Sequence, residues 1–152
     1  MNQVRRAAVT GTRARCDLLV HGTSSRGVGS SEVVSSFWER IQARDWEGLG
    51  RLLAEDFVVE WPDLKQRIRG RQNFVEFNRT YPEGWTIEVL GIIAEGETVV
   101  SEVRVPHAER GIFYVISVLK VEGDRIVSGR EYWLKEHQEE LPAERAHLFE
   151  PM

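Results

Sequence analysis

Val33, Val34, Phe37, Trp38 and Ile41 recur at helical spacing, one apolar stripe running from about Glu32 to Ala43. The serine pair ending at Ser31, just ahead of Glu32, offers a cap, and a first helical turn welcomes negative charge. Asp45 caps a second predicted helix whose buried side is Leu49, Leu52 and Leu53, weakened locally by Gly48 and Gly50. Phe57 to Trp61 reads as a strand that stops at Pro62-Asp63, and Gln66 to Arg69 as a short strand that ends at Gly70. Phe74, Val75, Phe77 and Asn78 suggest a third helix, halted by Tyr81-Pro82-Glu83-Gly84. From Trp85 the pattern changes to long strands: Trp85 to Ala94, Thr98 to Val105, Gly111 to Val121 and Arg125 to Lys135. Their short connections favour antiparallel neighbours, so the second half is a predicted meander of four strands. Helices first and sheet second is the order of an α+β domain.

The last strand holds the most informative residue. After the turn Glu122-Gly123-Asp124, alternation puts Val127, Gly129, Glu131 and Trp133 on one face, and Ile126, Ser128, Arg130, Tyr132 and Leu134 on the other. Arg130 marks the second face as the wet one, which turns Glu131 inward. An inward carboxylate requires a donor or a shifted pKa, because an unpaired charge in apolar surroundings is costly. Two readings stay open: a structural hydrogen bond or ion pair, for instance to Arg104, and a ligand-binding or catalytic role.

The strand from Gly111 to Val121 is apolar on both faces, more than one layer of helices can cover. A second copy of the same sheet, forming an isologous homodimer, is the expected cover; the tail from Gln138 to Met152, with Leu148 and Phe149, is the alternative.

The length, 152 residues, fits one domain. The formal net charge of -4 argues against a nucleic-acid or anionic-membrane surface as main partner. No stretch approaches the roughly 18 to 20 consecutive apolar residues of a membrane span. Cys16 stands alone, so no internal disulfide asks for an oxidising compartment, and a cytoplasmic location is the expectation. Arginines at 5, 6, 13, 15 and 26 face a single acid, Asp17, and a loose Gly/Ser run follows. Residues 1–30 therefore read as a disordered tail, 31–137 as the folded domain and 138–152 as a C-terminal extension.

The signals Asp45-Trp46, Phe57-Val58-Val59-Glu60-Trp61-Pro62 and Ile68-Arg69-Gly70, with a meander ending in Arg130-Glu131-Tyr132-Trp133 after a Gly-Asp turn, resemble the nuclear transport factor 2-like superfamily and, within it, SnoaL-like domains. The resemblance spans Ser31 to about Lys135. It implies a cone-shaped α+β fold: three N-terminal helices packed in a strongly curved, mainly antiparallel sheet, with a pocket at the open end, commonly in a dimer. It implies less about chemistry, because the architecture hosts isomerases, cyclases, epoxide hydrolases and non-catalytic proteins. In the epoxide hydrolases that it resembles, a catalytic Asp sits just before the aromatic pair, where this chain has Glu131. The Arg and second Asp of those enzymes align with Val103 and Val105; a slip of one residue would turn Glu102 and Arg104 inward instead.

The expected site is an apolar pocket with Glu131 and His107 as catalytic candidates and Trp61, Tyr81, Trp85, Tyr114 and Trp133 as substrate-binding aromatics. Glu131 takes a proton from a hydrophobic substrate while His107 or Tyr114 steadies the developing oxyanion. Asp63 reaches toward the mouth. The chemistry calls for no cofactor, and His21, His137 and His147 with one cysteine compose no metal site. The competing expectation is a non-catalytic module that holds an apolar ligand or supports dimerisation.

Overall fold

The computed structural model describes residues 28–136 and 142–152. The expected tail over residues 1–30 lies outside them but for its last three residues, as do Cys16, His21 and His137.

Helix α1 spans Ser30–Ala43. Its cap is Gly29 rather than a serine: the Glu32 carboxylate accepts from the Gly29 N–H at 3.2 Å, while the Glu32 N–H donates to the Gly29 carbonyl at 2.9 Å. Arg44 closes the helix in a left-handed conformation, φ 57°. Asp45 caps α2, Trp46–Leu52, by accepting from the Gly48 N–H at 2.8 Å. Leu53, expected on that helix, opens strand β1, Leu53–Trp61. Then come β2, Gln66–Arg69, and α3, Arg71–Thr80. The meander follows as β3, Glu88–Glu95, β4, Thr98–His107, β5, Gly111–Glu122, and β6, Arg125–Lys135. Strand β3 starts later than its sequence suggests, and Trp85 meets His107 in an isolated bridge.

The six strands form one curved sheet in the order β2-β1-β6-β5-β4-β3, antiparallel throughout except where β1 runs parallel to β6. Helix α1 lies across its concave side. The core packs around three phenylalanines: Phe74 of α3 meets Phe37 of α1 with ring centroids 5.9 Å apart and Phe57 of β1 at 5.2 Å.

Alternation fails at one point in β6. The register shifts from Lys120 opposite Ser128 to Val121 opposite Ile126, leaving Val127 as an extra residue. This bulge turns Ile126 into the core, fully buried, where strict alternation put it outside. Beyond it the parity is restored, and Gly129 and Glu131 are buried while Arg130 is exposed.

The convex face carries half-buried Ile112, Tyr114, Ile116 and Val118, with Tyr132 and Leu134 exposed. Residues 142–152 do not cover it: Leu148 and Phe149, beside a short turn of 3-10 helix, remain exposed. No helix among the described residues is long and apolar enough to cross a membrane.

Phe74 joins both helices to the sheet, so Phe74→Ala is expected to cost about 3–5 kcal/mol of unfolding free energy. Chemical denaturation followed by tryptophan fluorescence measures it.

Candidate functional site

The open end of the sheet holds a cavity of about 260 Å³ between α1, α3, the loop after α3 and the ends of β1, β4, β5 and β6. Its walls are aromatic. Trp61 ends β1, Phe113 opens β5, Trp133 lies near the end of β6, and Phe77 and Tyr81 bring α3 and its following loop to the rim. Asp63 and Leu64, on the exposed turn after β1, stand at the mouth.

Glu131 lines this cavity and is only 3% exposed. Its carboxylate accepts from three neutral donors. Oε2 takes the indole N–H groups of Trp61 at 3.1 Å and Trp133 at 3.3 Å, and Oε1 takes the Ser117 hydroxyl at 3.2 Å. The register supplies this geometry: Ser117 is the direct cross-strand partner of Glu131, and Trp133 is two residues along on the same face. Three donors on a group with about four lone-pair sites leave one site open, on Oε1. Burial pushes the Glu131 carboxyl above its ordinary value, and the hydrogen bonds from Trp61, Trp133 and Ser117 offset only part of that. The proposed alternative partner, Arg104, points to the convex side and pairs with Glu88 at 2.7 Å. Among the described residues, Glu131 is thus held without a cation.

The same concave stripe carries a second polar pair. Ser101, the cross-strand neighbour of Ser117, accepts from the indole N–H of Trp38 at 3.0 Å, deep in the core. His107 also lines the cavity but has both ring nitrogens engaged: Nδ1 accepts from the Glu109 N–H at 3.1 Å, and Nε2 lies 3.3 Å from the Pro82 carbonyl. An accepting Nδ1 requires the proton on Nε2, which then donates to Pro82. Gly84, at φ 112°, lets the loop lie against this ring: a Cβ there would stand 3.4 Å from His107 Cε1.

Trp85 is tied down from outside the cavity. The Arg44 guanidinium stacks over its ring, 3.4 Å from the centroid, donates to its carbonyl at 2.9 Å and forks onto Glu83 at 2.9 and 3.3 Å. That contact holds the Glu83 carboxyl below its ordinary value.

Of the residues expected in the site, Glu131, His107, Trp61, Tyr81, Trp85 and Trp133 are brought together around one cavity. Tyr114 is not. It sits opposite Arg104 and Leu134 on the convex face, its hydroxyl 3.4 Å from Glu136, and the adjacent Phe113 faces the cavity instead. A strand apolar on both sides gives alternation nothing to distinguish them. Val103 and Val105 are buried and Glu102 is exposed, so the register without a slip is the one adopted. Sequence reasoning missed Ser117, Trp38 and Phe113. Ser117 was detectable in principle as a small polar residue in an apolar strand, but its role depends on the partner strand.

Residues 34–129 match the family model of the SnoaL-like domain. The chain belongs to the SnoaL-like domain family. Among solved structures, this SnoaL-like domain is similar to a candidate ketosteroid isomerase from Kribbella flavida DSM 17836, at 27% identity and TM-score 0.74, with 81% of this chain and 89% of that one covered. It is also similar to an epoxide hydrolase from M. tuberculosis, at 25% identity and TM-score 0.60, over 68% of this chain and 81% of that one. A nuclear transport factor 2-like protein from Burkholderia xenovorans LB400, at 21% identity and TM-score 0.67 over 81% and 94%, shares the fold. No curated protein matches the chain.

Glu131 links stability to pH. Its folded-state pKa lies above the unfolded one, so its favourable contribution is complete below the ordinary carboxyl value and is lost as pH rises through the folded-state value. In Glu131→Gln the amide oxygen can keep both indole donors, and its NH2 can donate to the Ser117 hydroxyl. The variant is expected to melt increasingly above wild type as pH rises from 4.5, a trend read by calorimetry across a pH series.

Proposed function

We propose that this SnoaL-like domain is a cofactor-independent acid/base enzyme that moves a proton on a small hydrophobic substrate, with Glu131 as the base. The observation that carries the reading is a buried carboxyl on an apolar cavity, held, among the described residues, by three neutral donors and no cation. A guanidinium partner would lower its basicity; burial without one raises it. The cavity volume falls just under the roughly 300 Å³ low end of common ligand sites, which suits a mono- or bicyclic substrate.

In this reading the substrate C–H bond breaks toward Oε1, the proton goes to the carboxylate, and the electron pair moves onto the substrate's own oxygen. The same carboxyl then returns the proton, to the same carbon in exchange or to another in isomerisation. Where the enolate carbon instead bonds to a second carbonyl carbon of the substrate, that carbonyl's π pair moves onto its oxygen, which takes the proton, and the result is cyclisation. His107 contributes as a fixed wall of the cavity, its nitrogens engaged with Glu109 and Pro82. Epoxide hydrolysis has less support, because the positions that align with the Arg and second Asp of the enzymes it resembles are buried Val103 and Val105.

β-Tetralone, a bicyclic ketone with acidic α-hydrogens, tests this. Wild type is expected to accelerate their exchange in deuterated water, followed by NMR, and Glu131→Gln to lose about 100-fold or more of that acceleration. The rate should fall as pH drops through a value above 4.5, because only the carboxylate accepts a proton. Equal rates for the two proteins would refute the assignment.

A homodimer through the sheet is supported by the apolar convex face, where Ile116 and Tyr132 are cross-strand partners. The same face favours the second reading, a module for ligand binding or dimerisation without catalysis. Ile116→Lys is expected to convert dimer to monomer in analytical ultracentrifugation; wild type sedimenting as a monomer contradicts the dimer.

A further inference from the structure

The convex face sorts its charges by side. On one flank Arg67 and Arg69 of β2 and Arg130 of β6 stand against Glu60 of β1, and cross-strand pairing puts them on one face: Glu60 opposes both Arg67 and Arg130, and Val58 opposes Arg69. On the other flank Glu88 and Glu95 of β3 and Glu102 of β4 stand against Arg104. One half of the face is thus basic and the other acidic, with half-buried Ile116 and Val118 of β5 between them. Part of this charge is already matched within the chain, since Arg67 reaches Glu60 at 3.7 Å and Arg104 reaches Glu88 at 2.7 Å. Glu102 and Arg130 are not matched. Both are exposed, they flank β5 on opposite sides, and neither has an ion-pair partner among the described residues.

We infer that the partner of this face is a second copy of the chain, turned about a two-fold axis that runs along β5, so that Glu102 of each copy pairs with Arg130 of the other. The inference rests on the homodimer reading above and deepens it by fixing how the two copies lie. Two sheets packed face to face about an isologous axis have two aligned arrangements. An axis across the strands lays β6 on β6 and β4 on β4, so the unmatched arginines face each other, as do the unmatched glutamates. An axis along the strands lays β6 on β4, and each basic flank meets an acidic one. Juxtaposed like charges are strongly unfavourable at an interface, so the charge pattern selects the second arrangement. Convex surfaces touch first near their middle, where β5 lies between β6 and β4, the strands that carry these two residues. The register keeps them nearly level: Glu102 opposes Ile116 and Arg130 opposes Val118, one two-residue step apart, or about 7 Å. Packed sheets lie about 10 Å apart, a gap that an extended arginine and a glutamate span together. The outer charges, Arg67 and Arg69 against Glu88 and Glu95, add attraction at longer range.

Charge reversal tests the arrangement, with Glu102→Arg and Arg130→Glu followed by analytical ultracentrifugation and native mass spectrometry. Wild type should be dimeric. Each variant alone meets like charges at both contacts and should dimerise about 10-fold more weakly or worse. Mixed in equal amounts, the two variants should form a heterodimer at close to wild-type strength, because both contacts then join opposite charges. A chain carrying both changes should again pair with itself. Variants that dimerise as wild type does, or a mixture that associates no better than its components, overturn the inference. Should the reversals do nothing while Ile116→Lys still yields monomer, the axis is wrong and the homodimer reading survives. Wild type sedimenting as a monomer overturns both together.

Discussion

The site depends on a carboxyl group kept out of water by neutral hydrogen bonds alone. Among the described residues, Glu131 has Trp61, Trp133 and Ser117 around it and no guanidinium or ammonium group. Removing a carboxylate from water is costly, and each indole or hydroxyl donor recovers part of that cost without supplying charge. A group so held is a stronger base than a surface carboxylate, and the protein gives up stability at neutral pH to hold it. Activity and stability should therefore respond to pH in opposite directions, because ionisation creates the base and also creates the buried charge.

The surrounding fold makes such a placement affordable. Trp61 comes from β1 and Ser117 from β5, the two strands that flank β6, so the sheet register alone converges the donors on Glu131. The sheet's curvature closes these residues against α1 and α3, and the three-phenylalanine cluster beneath fixes the helices at that distance. At the opposite wall, Arg44 joins the end of α1 to the Trp85 loop through a ring face, a carbonyl and a carboxylate. The cavity is thus set between two rigid supports.

Much of this could be read along the chain because its causes are local. The stripe from Val33 to Ile41 and the four long strands follow from periodicity, and the charge on Arg130 was enough to turn Glu131 inward. Other features are made by neighbours far away in sequence. The bulge that buries Ile126 exists only in relation to β5, and Ser117 acquires meaning only opposite Glu131. Tyr114 and Phe113 could not be told apart in a strand apolar on both faces. The unpartnered N–H of Trp85 is invisible without coordinates, since a missing partner has no sequence signature. The SnoaL-like architecture was legible from a few turn and strand signals, whereas its polar chemistry depends on how strands meet.

Carboxyl NMR of glutamate-labelled protein, with Glu131→Gln to assign the resonance, measures the central quantity directly. The account predicts that Glu131 titrates above its ordinary value of 4.5, apart from the exposed glutamates. Titration at or below that value would mean that the three donors outweigh burial, leaving a structural acceptor in place of a base.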